Sequence, residues 1–455
     1  MPRNSPVAGR RGRDRLSRSE AESPPRKKLL IVSSAVLNPA NTLNSLVEMT
    51  QAALLSEIYD VALLSVWQSL PGGALEGRRR GAAWVRSPSP ANFRDLADWL
   101  GTARMRAVRR HTIEGLQVFE GTANPRGQSF DDDLEAWVRG AWQAYEEYCS
   151  EHGKPDLIHA HGRFLNAGVF ALQVLKSQCV PYVYVEHCSF YQRGLAPLEC
   201  REVLAEVIRR SQAYAPVSGV LAKAVAKFVG DIRTPVITPN ALDPGFEDQP
   251  MRPPPPSRPF RFFNASSLDE IKGIDVLLKA FAEAFAGDEN VELTICGDGA
   301  QRKHFETMAG ELGIDRRVTF RGWRPNDEIV QFMDDAHATV ISSRVETFGV
   351  VAIESLARGR PVLATRCGGP EEIVTETDGI LVRPADPAAL ARGMVSLVAN
   401  YGQFDCSAIR DASLKRFGRE AFLRRAAQIS GMPDLEHARP RRPGKAFAAV
   451  LTTET

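Results

Sequence analysis

The sequence predicts an α/β protein of two doubly wound domains facing each other across a cleft. Three observations carry this. The chain has 455 residues, too many for one ordinary hydrophobic core, so two domains are the default. Short apolar runs alternate with helix-length stretches, the pattern of a parallel sheet with helices on both faces. The alternation stops once, at a proline run, and restarts beyond it.

Residues 1–28 hold nine Arg or Lys against Asp14, Glu20 and Glu22, with no apolar segment. They read as a disordered basic tail and not as a secretory signal. The plain reading of such a tail is a solvated extension; the alternative is peripheral attraction to anionic lipid. The first domain is assigned to 29–245. Leu29-Leu30-Ile31-Val32 is fully apolar, as a buried parallel strand is. Asn44 to Ser56 has helical spacing, Val61 to Val66 is a strand, and further strands fall at Leu157-Ile158-His159, Tyr182 to Val185 and Ala213 to Ala215.

Between Pro250 and Pro259 six of ten residues are proline. Proline lacks the N–H and fixes φ, so 246–259 reads as a semi-rigid extended hinge. The second domain, 260–412, has strands at Phe260 to Phe263, Val291 to Ile295, Arg317 to Phe320, Ala338 to Ile341 and Pro361 to Ala364, with helices near 274–286 and 300–312. A helix at 413–431 could cross back to the first domain, and 432–455 reads as a loose tail.

Net charge is only +2 with the surplus concentrated in the tail, so the body is mildly acidic, which argues against a nucleic-acid partner. Seven scattered cysteines without a Cys-x-x-Cys pair predict reduced thiols in a cytoplasmic protein, with neither a disulfide framework nor a zinc site. No apolar run approaches the ~18–20 residues of a membrane span. The expected location is the cytoplasm, with the inner membrane face as the alternative.

The chemistry concentrates in 342–373. This stretch runs Ser342-Ser343-Arg344-Val345-Glu346-Thr347-Phe348-Gly349-Val350 into a helix over 349–357, then through Gly359, Pro361, Val362 and Ala364 to Gly368-Gly369-Pro370-Glu371-Glu372. Glu346 falls in the loop at a strand's carboxyl end and Glu354 well inside the helix. The N–H groups of Phe348, Gly349 and Val350 would meet the cleft at the positive end of the helix dipole, which suits a diphosphate. Gly349, without a Cβ, permits close approach of phosphate or sugar. Two glutamates eight apart are by themselves ordinary solvated charges; the whole run is far more specific.

The run resembles the signature of the family-4 retaining glycosyltransferases, which have the GT-B fold and are of glycosyltransferase group 1 type. The match lies on Glu346, Glu354, Gly359, Pro361, Val362, Ala364, Gly368, Gly369 and Glu372. The resemblance implies GT-B architecture, two Rossmann-like domains across a cleft. It implies that Glu346 faces the transferred sugar, that Glu354 accepts from the ribose hydroxyls, and that the 348–350 amides hold phosphates and sugar. A second segment, Ser267 to Phe281, resembles the family element in which an Arg and a Lys neutralise the donor diphosphate. Lys272 matches, but Ser267 stands where arginine is usual, and an ammonium cannot supply a guanidinium's bidentate fork. Arg344 and Arg321 are the candidate substitutes. Gly297-Asp298-Gly299 and Arg321-Gly322-Trp323 end neighbouring strands and read as lining the base pocket, against ordinary turn roles.

In the first domain, Asp156 to Gly162 and Pro181 to Ser189 resemble two family strand ends. In the second of them a histidine meets the donor sugar, so His187 becomes the candidate for hydrogen-bonding that sugar or orienting the leaving phosphate. Glu186 could orient His187 or be merely solvated. His159 and His161 form a His-x-His without a carboxylate partner, weak as a metal site, and no metal is expected. Asn240 and Asp243 read as turn formers. The loop after the first strand lacks a glycine pair, leaving Asn41 and Thr42 as its acceptor-side candidates.

The resemblance thus implies metal-independent transfer of a hexosyl group with retention. The donor would be a nucleoside-diphosphate sugar, UDP ahead of GDP, with no further cofactor. The acceptor would be a glycan, a lipid-linked or glycolipid acceptor, or a small molecule, as in polysaccharide biosynthesis. No carboxylate nucleophile is indicated, so the diphosphate would leave from the front face, and catalysis would rest on positioning and charge stabilisation. The rivals are a sugar-nucleotide epimerase or hydrolase on the same fold, and a non-catalytic nucleotide-binding scaffold supported only by Ser267.

Overall fold

The computed structural model describes residues 26–34, 46–68, 108–123, 130–162 and 164–431. Asn41, Thr42 and the expectations for 1–25 and 432–455 lie outside the described residues. In the first domain the elements are β1 (Lys28–Ser33), α1 (Leu46–Leu55), β2 (Asp60–Gln68), β3 (Val108–Ile113), β4 (Leu116–Ala123), α2 (Phe130–His152), β5 (Leu157–Gly162), α3 (Asn166–Gln178), β6 (Tyr182–Glu186), α4 (Phe190–Arg193), α5 (Arg201–Arg210), β7 (Ala213–Pro216) and α6 (Gly219–Val229). After α7 (Pro244–Asp248) the second domain has β8 (Phe260–Ala265), α8 (Ile274–Ala284), β9 (Val291–Cys296), α9 (Arg302–Glu311), β10 (Val318–Gly322), α10 (Asn326–Asp334), β11 (Ala338–Ile341), α11 (Val350–Ala357), β12 (Val362–Thr365), α12 (Pro370–Ile373), β13 (Gly379–Val382) and α13 (Pro387–Asn400). Two helices follow, α14 (Cys406–Phe417) and α15 (Arg419–Ile429).

The strands make two sheets, in the orders β3-β4-β2-β1-β5-β6-β7 and β10-β9-β8-β11-β12-β13. Leu29 to Val32 are wholly buried, because β1 lies between β2 and β5 with helices over both faces. Lys28 is the first residue of β1, so the strand begins one residue inside the stretch read as tail. The β3–β4 hairpin is absent from the sequence reading. It pairs antiparallel around Glu114 and Gly115, both at positive φ, as a tight hairpin requires. Its edge strand Val108–Ile113 is only half-buried and carries two arginines, so it lacks the apolar run that marks the central strands.

The proline-rich segment does not cross open space between the domains. Arg358 donates to the carbonyls of Phe246, Gln249 and Pro250 at 2.8–3.2 Å, and Arg360 to those of Arg252 and Pro253 at 3.2 Å. His337 Nε2 lies 3.0 Å from the Pro256 carbonyl. Prolines cannot donate, but their carbonyls accept strongly, and buried arginines fasten them along the second domain. Arg358 is also forked on Asp334 at 2.8 and 2.9 Å. The stretch read as a hinge is thus fixed to one domain along most of its length.

At the other end, Phe422, Leu423, Ala426 and Ile429 of α15 pack in one cluster with Leu29, Ile31, Leu55 and Val183. Gln212 Nε2 donates to the Ile429 carbonyl at 3.1 Å. The chain therefore returns to the first domain after completing the second.

Candidate functional site

The strand order of the second sheet reverses between β8 and β11. At such a switch point the connections diverge and leave a crevice beyond the strands' carboxyl ends. The segments that leave those two strands carry Lys272 and Glu346. Lys272 ends a 3₁₀ turn over Glu270–Lys272, and its carbonyl accepts from Ser342 Oγ at 2.9 Å. Lys272 Nζ donates to Glu346 Oε1 at 2.5 Å, and Ser343 Oγ donates to the same oxygen at 2.9 Å. The two side chains are 25% and 17% exposed. Burial pulls the lysine's pKa down, but the charge and hydrogen bond of Glu346 outweigh it and hold the ammonium above its ordinary value. Glu346 is fixed by its backbone as well. Its N–H donates to the Cys367 carbonyl and its own carbonyl accepts from Gly369 N, each at 2.9 Å.

Phe348, Gly349 and Val350 start α11. The Phe348 ring is buried against Phe417, which anchors the residue and leaves its amide as the group on offer. Gly349 adopts φ 97° as the N-cap, a left-handed conformation that favours glycine. The first amides of a helix have no acceptor within it, so this end is a ready anion site. Glu354, one turn further along, is pushed up to about 8, chiefly by burial and then by the charge of Asp243. Asp243 itself caps α7, accepting from Gly245 N at 2.8 Å and from Asn326 Nδ2 at 3.1 Å.

Among the described residues, the other sequence-derived candidates of the second domain make no side-chain hydrogen bond or ion pair with Lys272 or Glu346, though the Arg344 N–H donates to the Ile271 carbonyl at 2.8 Å. Ser267 is exposed. A Cβ on Gly297 would lie 1.8 Å from the Ser266 carbonyl oxygen, and one on Gly299 2.8 Å from that of Leu268. Close backbone packing therefore accounts for both glycines without a ligand. Gly322 accepts from Gly297 N at 2.8 Å. Arg321 is exposed, its guanidinium 5.9 Å from the Phe332 ring centroid. Arg344 is bidentate on Asp275 at 2.8 and 3.0 Å, so its fork is occupied at the start of α8.

Across the cleft, His187 is half-buried and its Nε2 lies 3.1 Å from His161 Nδ1. Glu186 is fully buried, not solvated. It accepts from Tyr184 OH at 2.7 Å and from the backbone N–H groups of His187 and Cys188 at 2.8 and 2.7 Å. Burial raises it to about 7 against the pull of those donors. It thus orients the backbone at His187, while the imidazole has His161 as its neighbour. His159 faces Ser430 Oγ at 3.1 Å and is pushed down to about 3 by burial, then by His161. The His-x-His pair therefore serves two unrelated contacts.

Three residues beside this site went without a role in the sequence reading. Gln192 Nε2 donates to the Glu346 carbonyl at 3.2 Å, and Ser218 Oγ to the Thr347 carbonyl at 2.6 Å. Glu372 accepts from Gly219 N and Val220 N at 2.8 and 2.6 Å. A serine just before a helix that follows an apolar strand is a readable N-cap signal; Gln192 carries no local signal at all.

Two largely parallel-sheet domains, with a glycine-capped helix start at the switch point of the second, define a protein of the GT-B fold. Residues 246–419 match the model of the family described as glycosyl transferases group 1. An uncharacterized glycosyltransferase of Methanocaldococcus jannaschii is 34% identical over 132 residues, 29% of this chain and 34% of that protein. D-inositol 3-phosphate glycosyltransferase of Corynebacterium urealyticum is 39% identical over 144 residues, 30% of this chain and 34% of that protein. The matched stretch thus spans about a third of the length of these relatives. Among solved structures, sucrose-phosphate synthase from Thermosynechococcus elongatus superposes with a TM-score of 0.66 at 19% identity, over 89% of this chain and 98% of that one. Anabaena HepE in complex with UDP-glucose gives 0.63 at 18% identity, over 89% and 100%. At these identities the structural likeness bears on the fold alone.

Proposed function

We propose that this chain is a glycosyltransferase that moves a sugar from a nucleoside-diphosphate sugar to an acceptor hydroxyl, with retention at the anomeric carbon and without a metal ion. The observation that carries the reading is the Lys272–Glu346 pair at 2.5 Å beside the amide-rich start of α11. In this reading Lys272 and the 348–350 amides take the charge of the leaving diphosphate, the work a divalent cation performs elsewhere. Glu354 receives the ribose hydroxyls, Glu346 faces the sugar, and His187 approaches the sugar from the other domain. With the diphosphate oxygen leaving from the face the acceptor enters, that oxygen takes up the acceptor's proton.

UDP-glucose is the first donor to try, because HepE, which shares the fold, was solved with it. A glycan, lipid-linked or small-molecule acceptor fits the same reading. So does a cytoplasmic site of action, with peripheral membrane contact through the basic tail left as a further proposal. A panel of UDP- and GDP-sugars, each in EDTA with and without acceptors, tests it. Acceptor-dependent release of the nucleoside diphosphate supports transfer. Release or isomerisation without acceptor points to the hydrolase or epimerase class, and tight binding without turnover to a scaffold.

A further inference from the structure

We infer that Ser218 and Glu372 are positioning residues that complete the phosphate-binding amides only when the two domains are closed on each other. The inference rests on the donor reading above. The Thr347 carbonyl and the Phe348 N–H belong to the same planar trans group, so they point in opposite directions and turn together. Ser218 Oγ, from the first domain, holds that carbonyl at 2.6 Å. Fixing the carbonyl aims the Phe348 N–H. The preceding unit is fastened in the same way, since the Glu346 carbonyl accepts from Gln192 Nε2 at 3.2 Å in addition to Gly369 N.

The same helix start that supplies Ser218 is tied back to the second domain. Ser218 is the N-cap of α6, its Oγ accepting from Leu221 N at 3.1 Å while donating to Thr347. The next two amides, Gly219 and Val220, each donate to one oxygen of the Glu372 carboxylate. A carboxylate at the positive end of an 11-residue helix makes charge-assisted hydrogen bonds. Glu372 belongs to α12, directly after Gly369, whose N–H holds Glu346. One helix start therefore reads both flanks of the loop that presents Glu346 and the 348–350 amides.

Opening the domains would break these contacts together. The Thr347–Phe348 peptide would lose its outside anchor, and the α6 amides would lose their carboxylate. Diphosphate binding and closure are then linked, and by reciprocity each favours the other. In the donor reading the ribose is received by Glu354 and not by the 347–348 peptide, so the linkage should act through the phosphates.

The test is calorimetric titration of UDP and of uridine, with GDP and guanosine in parallel, into the full chain and into Ser218→Ala, Ser218→Thr, Glu372→Gln and the S218A/E372Q double variant. Circular dichroism melts establish that each is folded, and small-angle scattering reports the separation of the domains. The wild type should prefer the diphosphate over the nucleoside. Ser218→Ala and Glu372→Gln should each weaken diphosphate binding by about 3- to 10-fold, the size of one lost hydrogen bond, and leave nucleoside binding alone. Ser218→Thr should restore the affinity, and the double variant should lose less than the product of the single losses, because both act on one closure equilibrium. An undiminished preference for the diphosphate in both single variants overturns the inference while leaving the donor site standing. A wild type with no preference for either diphosphate overturns the donor reading and the inference with it.

Discussion

The ammonium of Lys272 and the carboxylate of Glu346 meet at 2.5 Å in the crevice between β8 and β11. Each neutralises the other, and in the proposed reading a diphosphate would compete with Glu346 for the lysine. Opposite outcomes follow for the two partners. Lys272→Met should weaken binding of a nucleoside diphosphate by about 10- to 100-fold, the range for loss of a charge-assisted hydrogen bond. Glu346→Gln should bind the nucleoside diphosphate as tightly as the wild type or tighter, because a competing anion is gone, yet transfer no sugar. Calorimetry and a product assay on the two variants check the pair together.

Glu354 gives the site a pH dependence. Its carboxyl is pushed up to about 8, by burial first and the charge of Asp243 second, and hydroxyl donors favour the ionised form. With the ribose hydroxyls on Glu354 as proposed, nucleotide binding should expel a proton below that pKa. UDP affinity should rise as pH goes from 6 to 8, by at most about tenfold per unit, and level off above it. Titrations in buffers of different ionisation heat should register the released proton, and Glu354→Gln should flatten the profile. Stability runs the other way. The folded state holds this proton more tightly than the unfolded chain, so the group's contribution is full below its ordinary 4.5 and is lost as pH rises towards about 8.

Ser267 offers a gain of function. It is exposed on the segment that leads to Lys272, at the position where the resemblance puts an arginine. Ser267→Arg should add a fork for the diphosphate and tighten UDP binding by about 3- to 10-fold, with uridine unaffected. Equal binding by the two proteins would mean that the missing charge is supplied elsewhere.

Arg358 tests the clamp on the linker. It is fully buried with Asp334, 0% and 2% exposed, and also holds three linker carbonyls. Arg358→Met would leave Asp334 buried without that partner and should cost about 3–5 kcal/mol. Urea unfolding would register the loss as a lower midpoint.

Much of the architecture was legible because buried parallel strands are almost pure apolar runs, as Leu29 to Val32 are. The hairpin Val108–Ala123 was not, since its edge strand is half-buried and arginine-bearing. Within the site, Glu346, Glu354, Lys272 and the 348–350 amides sit close together in two local runs, and a local run can be read. Glu372 lies in the same run as Glu346, but its partners Gly219 and Val220, like Gln192 and Ser218, belong to distant segments, and these contacts form only through the approach of two domains. Nor could sequence foresee that Arg344 is occupied by Asp275, or that Gly297 answers to the Ser266 carbonyl. These are matters of tertiary contact, and no spacing encodes them.

The most direct measurement is the anomeric configuration and yield of product from UDP-glucose, and then from the wider donor panel, in EDTA with an acceptor library, for the wild type and Glu346→Gln. The account predicts acceptor-dependent release of the nucleoside diphosphate, a product that keeps the donor's anomeric configuration, and loss of both in the variant while nucleotide binding persists. An inverted product, or full turnover by Glu346→Gln, would contradict it.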